Sequence, residues 1–238
     1  MVGLLAAVMA TTGMLGAEVA TAAVPTFPDN LVVFPNRDFV VVEGYASHQG
    51  ETATVTVTRP SLGNQVIGSA QGIVSGGDVA FEINHPGGVC WGAGTDLKIT
   101  PDILPDDVAA ISFGGQAAGE TRVQDGYVTG PATLTGLTLT VTGHFGPNVN
   151  KDNAEQRIVE PALASTSVAR RDVRATPGPL TPAPKGGYSS SLAFGVDGPD
   201  TFTATYVFDD PAVAQIAARV RAVFMGVLLG AKGSRDGP

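Results

Sequence analysis

With 238 residues, 31 glycines, 17 prolines and 15% charged side chains, the chain is long enough for one or two cores and richly punctuated for turns. A collagen build is excluded because glycine shows no three-residue period, and disorder because 43% of residues are hydrophobic and recur in strand-like patterns. The net charge of −8 is uneven, with four basic against thirteen acidic residues before Asn148 and ten against nine from there on, so the acidic first half repels polyanions and argues against nucleic-acid binding.

Residues 1–23 read as an export signal. An apolar run over residues 2–17 is too short to span a bilayer comfortably, and Ala20-Thr21-Ala22 is a small-x-small cleavage pattern. The mature chain is then expected to start near Ala23 or Val24. No Lys or Arg precedes the apolar run, which leaves open a start further upstream or an uncleaved anchor. Export implies an oxidising compartment, yet the single cysteine, Cys90, cannot form an internal disulfide, so the fold must stand on packing.

After a linker at residues 26–30, residues 31–34 and 39–43 are apolar and β-branched and predict two strands. Residues 52–58 alternate strictly, with Ala53, Val55 and Val57 on one face and threonines on the other, the signature of a half-buried antiparallel strand. Residues 66–68, 72–74 and 79–83 give further strands. The stretch 81–91, F-E-I-N-H-P-G-G-V-C-W, follows and holds the only cysteine and the only tryptophan. Residues 98–107 are turn-rich, with prolines that cannot donate to a central ladder. Residues 108–113 predict a closing strand before Gly114-Gly115. About seven strands in about ninety residues is the density of an immunoglobulin-like sandwich, here over residues 28–114.

A second such sandwich is expected over residues 118–208. Residues 137–142 alternate with Leu137, Leu139 and Val141 inward. Two short echoes, Val42-Glu43-Gly44-Tyr45 with Val141-Thr142-Gly143-His144 and Phe81-Glu82-Ile83-Asn84-His85-Pro86 with Phe194-Gly195-Val196-Asp197-Gly198-Pro199, suggest tandem copies. Asn153 followed three residues later by Gln156 reads as an N-cap, predicting a short inserted helix to about Val159. Residues 176–187, with four prolines, predict an exposed loop. Residues 201–208 are the cleanest strand, lining Phe202, Ala204, Tyr206 and Phe208 on one face. Asp209-Asp210-Pro211 reads as a helix start, and an apolar stripe from Val213 through Leu228 predicts a terminal helix over residues 209–230. That helix docks on the second sandwich or meets a membrane or partner; with two arginines beside its stripe, the membrane is the weaker choice.

Cys90 with His85 five residues before it invites a thiol-nucleophile reading. No third group or helix dipole supports it, so a small buried side chain under Trp91 is the expectation. His48, His85 and His144 are too scattered for a zinc set. Asn148-x-Asn150-x-Asp152 opens like a calcium loop but lacks the glycine and terminal glutamate. Asp29, Asp38, Asp102, Asp106 and Asp107 could supply a glycosidase-like acid pair only if separate loops bring two together. The basic group Lys151, Arg157, Arg170, Arg171 and Arg174, interleaved with acids, reads as a solvated, internally paired surface. No phosphate loop, nucleotide fingerprint or nucleophile elbow is present, and neither a cofactor nor a metal is implied.

Four groups of residues, Asn30-x3-Phe34-Pro35-x2-Asp38-Phe39-Val40, Asn84-His85-Pro86-Gly87-Gly88-Val89-Cys90-Trp91, Thr100-Pro101-Asp102-x2-Pro105-x-Asp107-Val108 and Glu155-Gln156-Arg157-Ile158, resemble a group of uncharacterised exported actinobacterial proteins. The resemblance spans about residues 28–215 and implies an immunoglobulin-like β-build with no known activity. In that group the helix is followed by a further strand; the tail here departs from the pattern at about Arg219, which would leave the second sandwich with an open edge.

The expected molecule is therefore all-β, two tandem immunoglobulin-like sandwiches with a short inserted helix and a C-terminal α-helix. It would be exported, secreted or held at the cell surface, and non-enzymatic, binding a protein or glycan through end loops at residues 84–92, carrying His85 and Trp91, and 176–187. Any membrane contact would run through the signal segment or the C-terminal helix. The alternatives are an exported hydrolase acting on carbohydrate or peptidoglycan, and a spacer in a larger surface assembly.

Overall fold

The computed structural model describes residues 22–219 and the backbone of residues 223–228, so all but the end of the expected export signal lies outside the described residues. The described residues form antiparallel β-sheets with one α-helix. Its strands are β1 (Asn30–Phe34), β2 (Phe39–Glu43), β3 (Thr52–Arg59), β4 (Gln65–Ile73), β5 (Val79–Ile83), β6 (Val108–Phe113), β7 (Gln116–Arg122), β8 (Gly126–Val128), β9 (Thr133–Thr135) and β10 (Thr138–Phe145). There follow β11 (Ala154–Val159), β12 (Asp172–Ala175), β13 (Gly178–Pro182), β14 (Tyr188–Phe194), β15 (Thr201–Phe208), the helix α1 (Pro211–Ala218) and β16 (Val223–Leu228).

Strict alternation decides where β3, β10 and β15 pack. Ala53, Val55 and Val57 of β3 are fully buried, as are Leu139 and Val141 of β10 and Phe202, Ala204 and Tyr206 of β15. Sheet β4-β3-β6-β7 supplies one core and sheet β13-β14-β15-β10-β8 the other. Both cores are completed by a third sheet, ordered β12-β11-β16-β1-β2-β5, which draws strands from both halves of the chain. Val33 of β1 stands opposite Val227 of β16, which stands opposite Ala154 of β11, so these three positions share a face. Val33 packs in the first core and Ala154 in the second. Both smaller sheets therefore lie against the same face of the six-stranded one.

The opposite face is also buried, because the sheet coils around it. Arg171, just before edge strand β12, reaches the Glu82 carboxylate on the other edge strand, β5. Five strand spacings in a flat sheet separate such edges by roughly 24 Å, further than an Arg and a Glu side chain can bridge together. Inside the coil Val32, Phe34, Phe39, Val41 and Val159 make a third apolar cluster.

Several sequence expectations change here. The inserted helix at residues 153–159 is instead strand β11, preceded by a single 3-10 turn, Lys151–Asn153, capped by the Asn150 side chain. The terminal helix starts where expected, with the Asp210 carboxylate accepting from the Ala212 N–H at 2.7 Å, but ends at Ala218, and residues 223–228 form β16. β16 sits between β1 and β11, so the open edge expected beyond Arg219 is not found. Gly114-Gly115 does not close a unit; it is the turn of the β6–β7 hairpin. The two short echoes fall on non-equivalent strands, since β2 pairs with β5 whereas β10 pairs with β15 rather than β14. Among the described residues no helix is long and apolar enough to cross a membrane, and α1 packs Val213, Ala214 and Ala217 into the second core.

Candidate functional site

The stretch after β5 folds back on its own strand. The Val89 N–H donates to the Glu82 carbonyl and the Asn84 N–H to the Val89 carbonyl, both at 2.8 Å, capping the outer edge of β5. The turn demands its glycines: Gly87 has φ +86°, and a Cβ at Gly88 would lie 2.4 Å from the Glu82 carbonyl oxygen. His85 is driven inward, its ring 4.9 Å from that of Phe39 and its Nδ1 3.3 Å from the Glu82 carboxylate. Burial lowers the His85 pKa against the pull of Glu82, and the Arg171 cation lowers it further. Trp91 is 7% exposed and donates its indole N–H to the Asp38 carbonyl at 2.6 Å. Asp38, held in the left-handed region at φ 50°, accepts from the Ile103 N–H through its carboxylate, which burial raises in pKa. Asn84 donates its amide to the Arg37 carbonyl, and Arg171 donates to the Pro86 carbonyl as well as to Glu82.

His85 and Trp91, the candidate ligand contacts, are thus buried pieces of a joint. Cys90 is the reverse: expected under Trp91, it is exposed.

Inside the coiled sheet lies an ionic network. Arg157 is 1% exposed, ion-paired to Glu155, 3.4 Å from Glu43 across the sheet, and 5.1 Å above the Phe34 ring. Arg174 approaches Glu155 at 3.8 Å and holds Asp172 at 2.5 Å. Burial alone would raise the Asp172 pKa, but Arg174, Arg157 and Arg170 bring it down to about 2. On the other face of β11 the Tyr206 hydroxyl donates to the Gln156 carbonyl or side-chain oxygen, and burial raises its pKa well above the ordinary phenol value. Of the five basic residues read as a solvated surface, Arg157 and Arg174 belong to this interior.

A groove of about 530 Å³ is lined by Asp29, Tyr45, His48, Glu51, Phe113 and Gln116 with adjoining small residues. Gly44 and Tyr45 are both left-handed, and a side chain at Gly44 would strike the Pro28 carbonyl at 2.4 Å, so the doublet turns Tyr45 inward. The Tyr45 N–H donates to Asp29 at 2.5 Å, whereas its buried hydroxyl has no hydrogen-bond partner. Burial, and then the Asp29 charge, push that phenol well above its usual pKa. The His48 ring stacks flat on Phe113, 3.8 Å apart and 5° from parallel, and its Nδ1 lies 3.1 Å from Glu51. Acceptors and an aromatic wall, with no lysine or arginine in the lining, suit a ligand rich in hydroxyl or amino groups. The sequence signal for this site was the Gly44-Tyr45 doublet with His48 and Glu51 three residues apart, which composition gave no reason to single out.

The other expected loop, residues 176–187, is partly ordered as β13, an exposed edge strand on β14. Gly187 packs against Ser167 and Val168. The acids at 29, 38 and 107 each accept from a backbone N–H, and Asp107 also pairs with Arg59 at 2.8 Å. Asp106 pairs with Arg122 in solvent. Among the described residues no three His, Cys, Asp or Glu side chains stand close enough to hold a metal ion. No known protein family and no curated protein matches the chain.

Proposed function

We propose that this is an exported, non-enzymatic binding and structural protein of the cell surface or extracellular space, built of two immunoglobulin-like sandwich halves joined through a common sheet. The observation that carries the binding role is the groove beside Tyr45. It presents recognition chemistry on a rigid support, while the reactive-looking groups of the 81–91 corner are committed to holding the chain together. Export rests on the leader-like residues 1–23 and on the resemblance to exported actinobacterial proteins. The ligand is a glycan or a protein segment exposing hydroxyl or amino groups.

The test is a screen of glycan and polypeptide arrays with the full protein, followed by His48→Ala and Glu51→Gln. Both residues are solvent-accessible, so the fold survives substitution. A ligand found on either array should bind about tenfold more weakly to each variant, roughly 1.4 kcal/mol. A ligand indifferent to both changes removes the groove from the proposal.

One observation favours a hydrolase instead: Asp29 and Glu51 line the same groove. Turnover of a carbohydrate or peptidoglycan panel that is abolished by Glu51→Gln would establish that reading and displace the binding one.

A further inference from the structure

Residues 22–25 do not trail away from the body. The Glu120 N–H on β7 donates to the Ala23 carbonyl at 3.1 Å, and the Glu120 carboxylate accepts from the Ala22 N–H at 3.2 Å. Pro25 lies on Gly119, where a Cβ would sit 2.5 Å from its ring. The segment is docked along the edge of β7, and Glu120 places a carboxylate at its start.

The small-x-small pattern Ala20-Thr21-Ala22 ends at the residue whose N–H this carboxylate holds. We infer that Glu120 is the docking group for a new amino terminus created between Ala22 and Ala23. This rests on the export reading above. A leader-processing peptidase adds water across the Ala22–Ala23 peptide bond. The carboxylate made on Ala22 leaves with the leader, and the amine made on Ala23 takes up a proton. The new ammonium stands one residue along an extended chain, about 3.5 Å from the amide now bound, while Ala23 stays anchored by its carbonyl. Cleavage thereby replaces a neutral donor at Glu120 with a cation, and a neutral hydrogen bond with a charge-assisted one. Gly119 has no side chain to obstruct Pro25, and the edge of β7 is closed by the chain's own first residues.

The α-amino group of an unfolded chain titrates near 7.7–8.0. A neighbouring carboxylate raises that value in the folded state, so the added stability is fully present below about pH 7.7 and is lost as pH rises through the folded value. The experiment takes the protein recovered after export, determines its first residue by mass spectrometry, and compares thermal unfolding of the free-amine form with its Nα-acetylated form. Ala23 is expected as the first residue, with the free amine unfolding about 2 °C or more above the acetylated form at pH 6.5. That gap should vanish in Glu120→Gln and above about pH 10. A chain starting at Ala23 with no gap overturns the docking role and leaves export standing. An exported chain found unprocessed, or cut elsewhere, overturns the inference and leaves export standing, whereas a chain that is never exported overturns both.

Discussion

Arg157 is the residue on which the two halves meet. Its guanidinium, from β11, reaches Glu43 on β2, 114 positions earlier, past the two strands that separate them. Removing one partner of a buried ion pair leaves the others uncompensated, at about 3–5 kcal/mol. Arg157→Met is expected to lose that much in urea unfolding, or to give no folded protein; a variant within 1 kcal/mol of the parent would show the network to be dispensable. The buried ionisable groups also set the acid limit. His85 has a folded pKa below its unfolded value of about 6.5, so its neutral ring contributes in full above that pH and the contribution drains away as pH falls through the folded value. Asp172, held at about 2 against about 3.9 unfolded, acts in the same direction lower down, its contribution present above about pH 4 and lost as pH falls toward 2. Stability followed by urea midpoint should decline in two stages on acidification, and His85→Gln should remove the first stage alone.

At the scale of elements, what could be read from the sequence depended on how many faces of a strand are covered. β3, β10 and β15 each bury one face and alternate, so most of their core residues were legible one by one; Leu137, expected inward, instead precedes β10 and is 39% exposed. β11 is buried at all six positions, and its Ala-Glu-Gln-Arg run carries helix-forming residues whose charges pair with each other and with Glu43 and Arg174, far away in sequence. Tertiary ion pairing overrode local propensity there. β16, flanked by strands on both edges, reads as a continuous apolar run, and the true helix just before it lent it a helical period. The 81–91 corner was visible as important because its residue types are rare, but a sequence cannot show that His85 turns in and Cys90 out. The corner is also exacting. Gly88→Ala would place a methyl 2.4 Å from the Glu82 carbonyl, and the strand cap must shift to relieve it, at about 1–3 kcal/mol. Hydrogen exchange should register this as earlier opening of the Val89 and Asn84 amides, whereas unchanged protection would mean that the turn relaxes freely.

For the whole molecule, the outer edges are managed. The carbonyls of Ala80 and Glu82 on β5 are taken by Ser75 and Val89, β4 is bonded by Gly92 and Ala93, β7 receives Ala23, and β13 carries prolines. One edge pair depends on continuity instead: β1 and β11 are joined through β16. Deleting residues 219–238 should uncover both at once, and the product is expected to aggregate or to unfold as a whole rather than to lose stability in the second half alone. Calorimetry of the full chain should accordingly show one transition; two well-separated transitions would mean that the halves fold independently.

The position of β16 also fixes a timetable. A chain made, or threaded through a channel, amino end first presents β1 and β11 long before the strand that must lie between them. Neither half can be finished early, and the ionic interior cannot close around Arg157 until residues 223–228 arrive. Under the export reading proposed above, the chain would stay pliable during transit until residues 223–228 arrive.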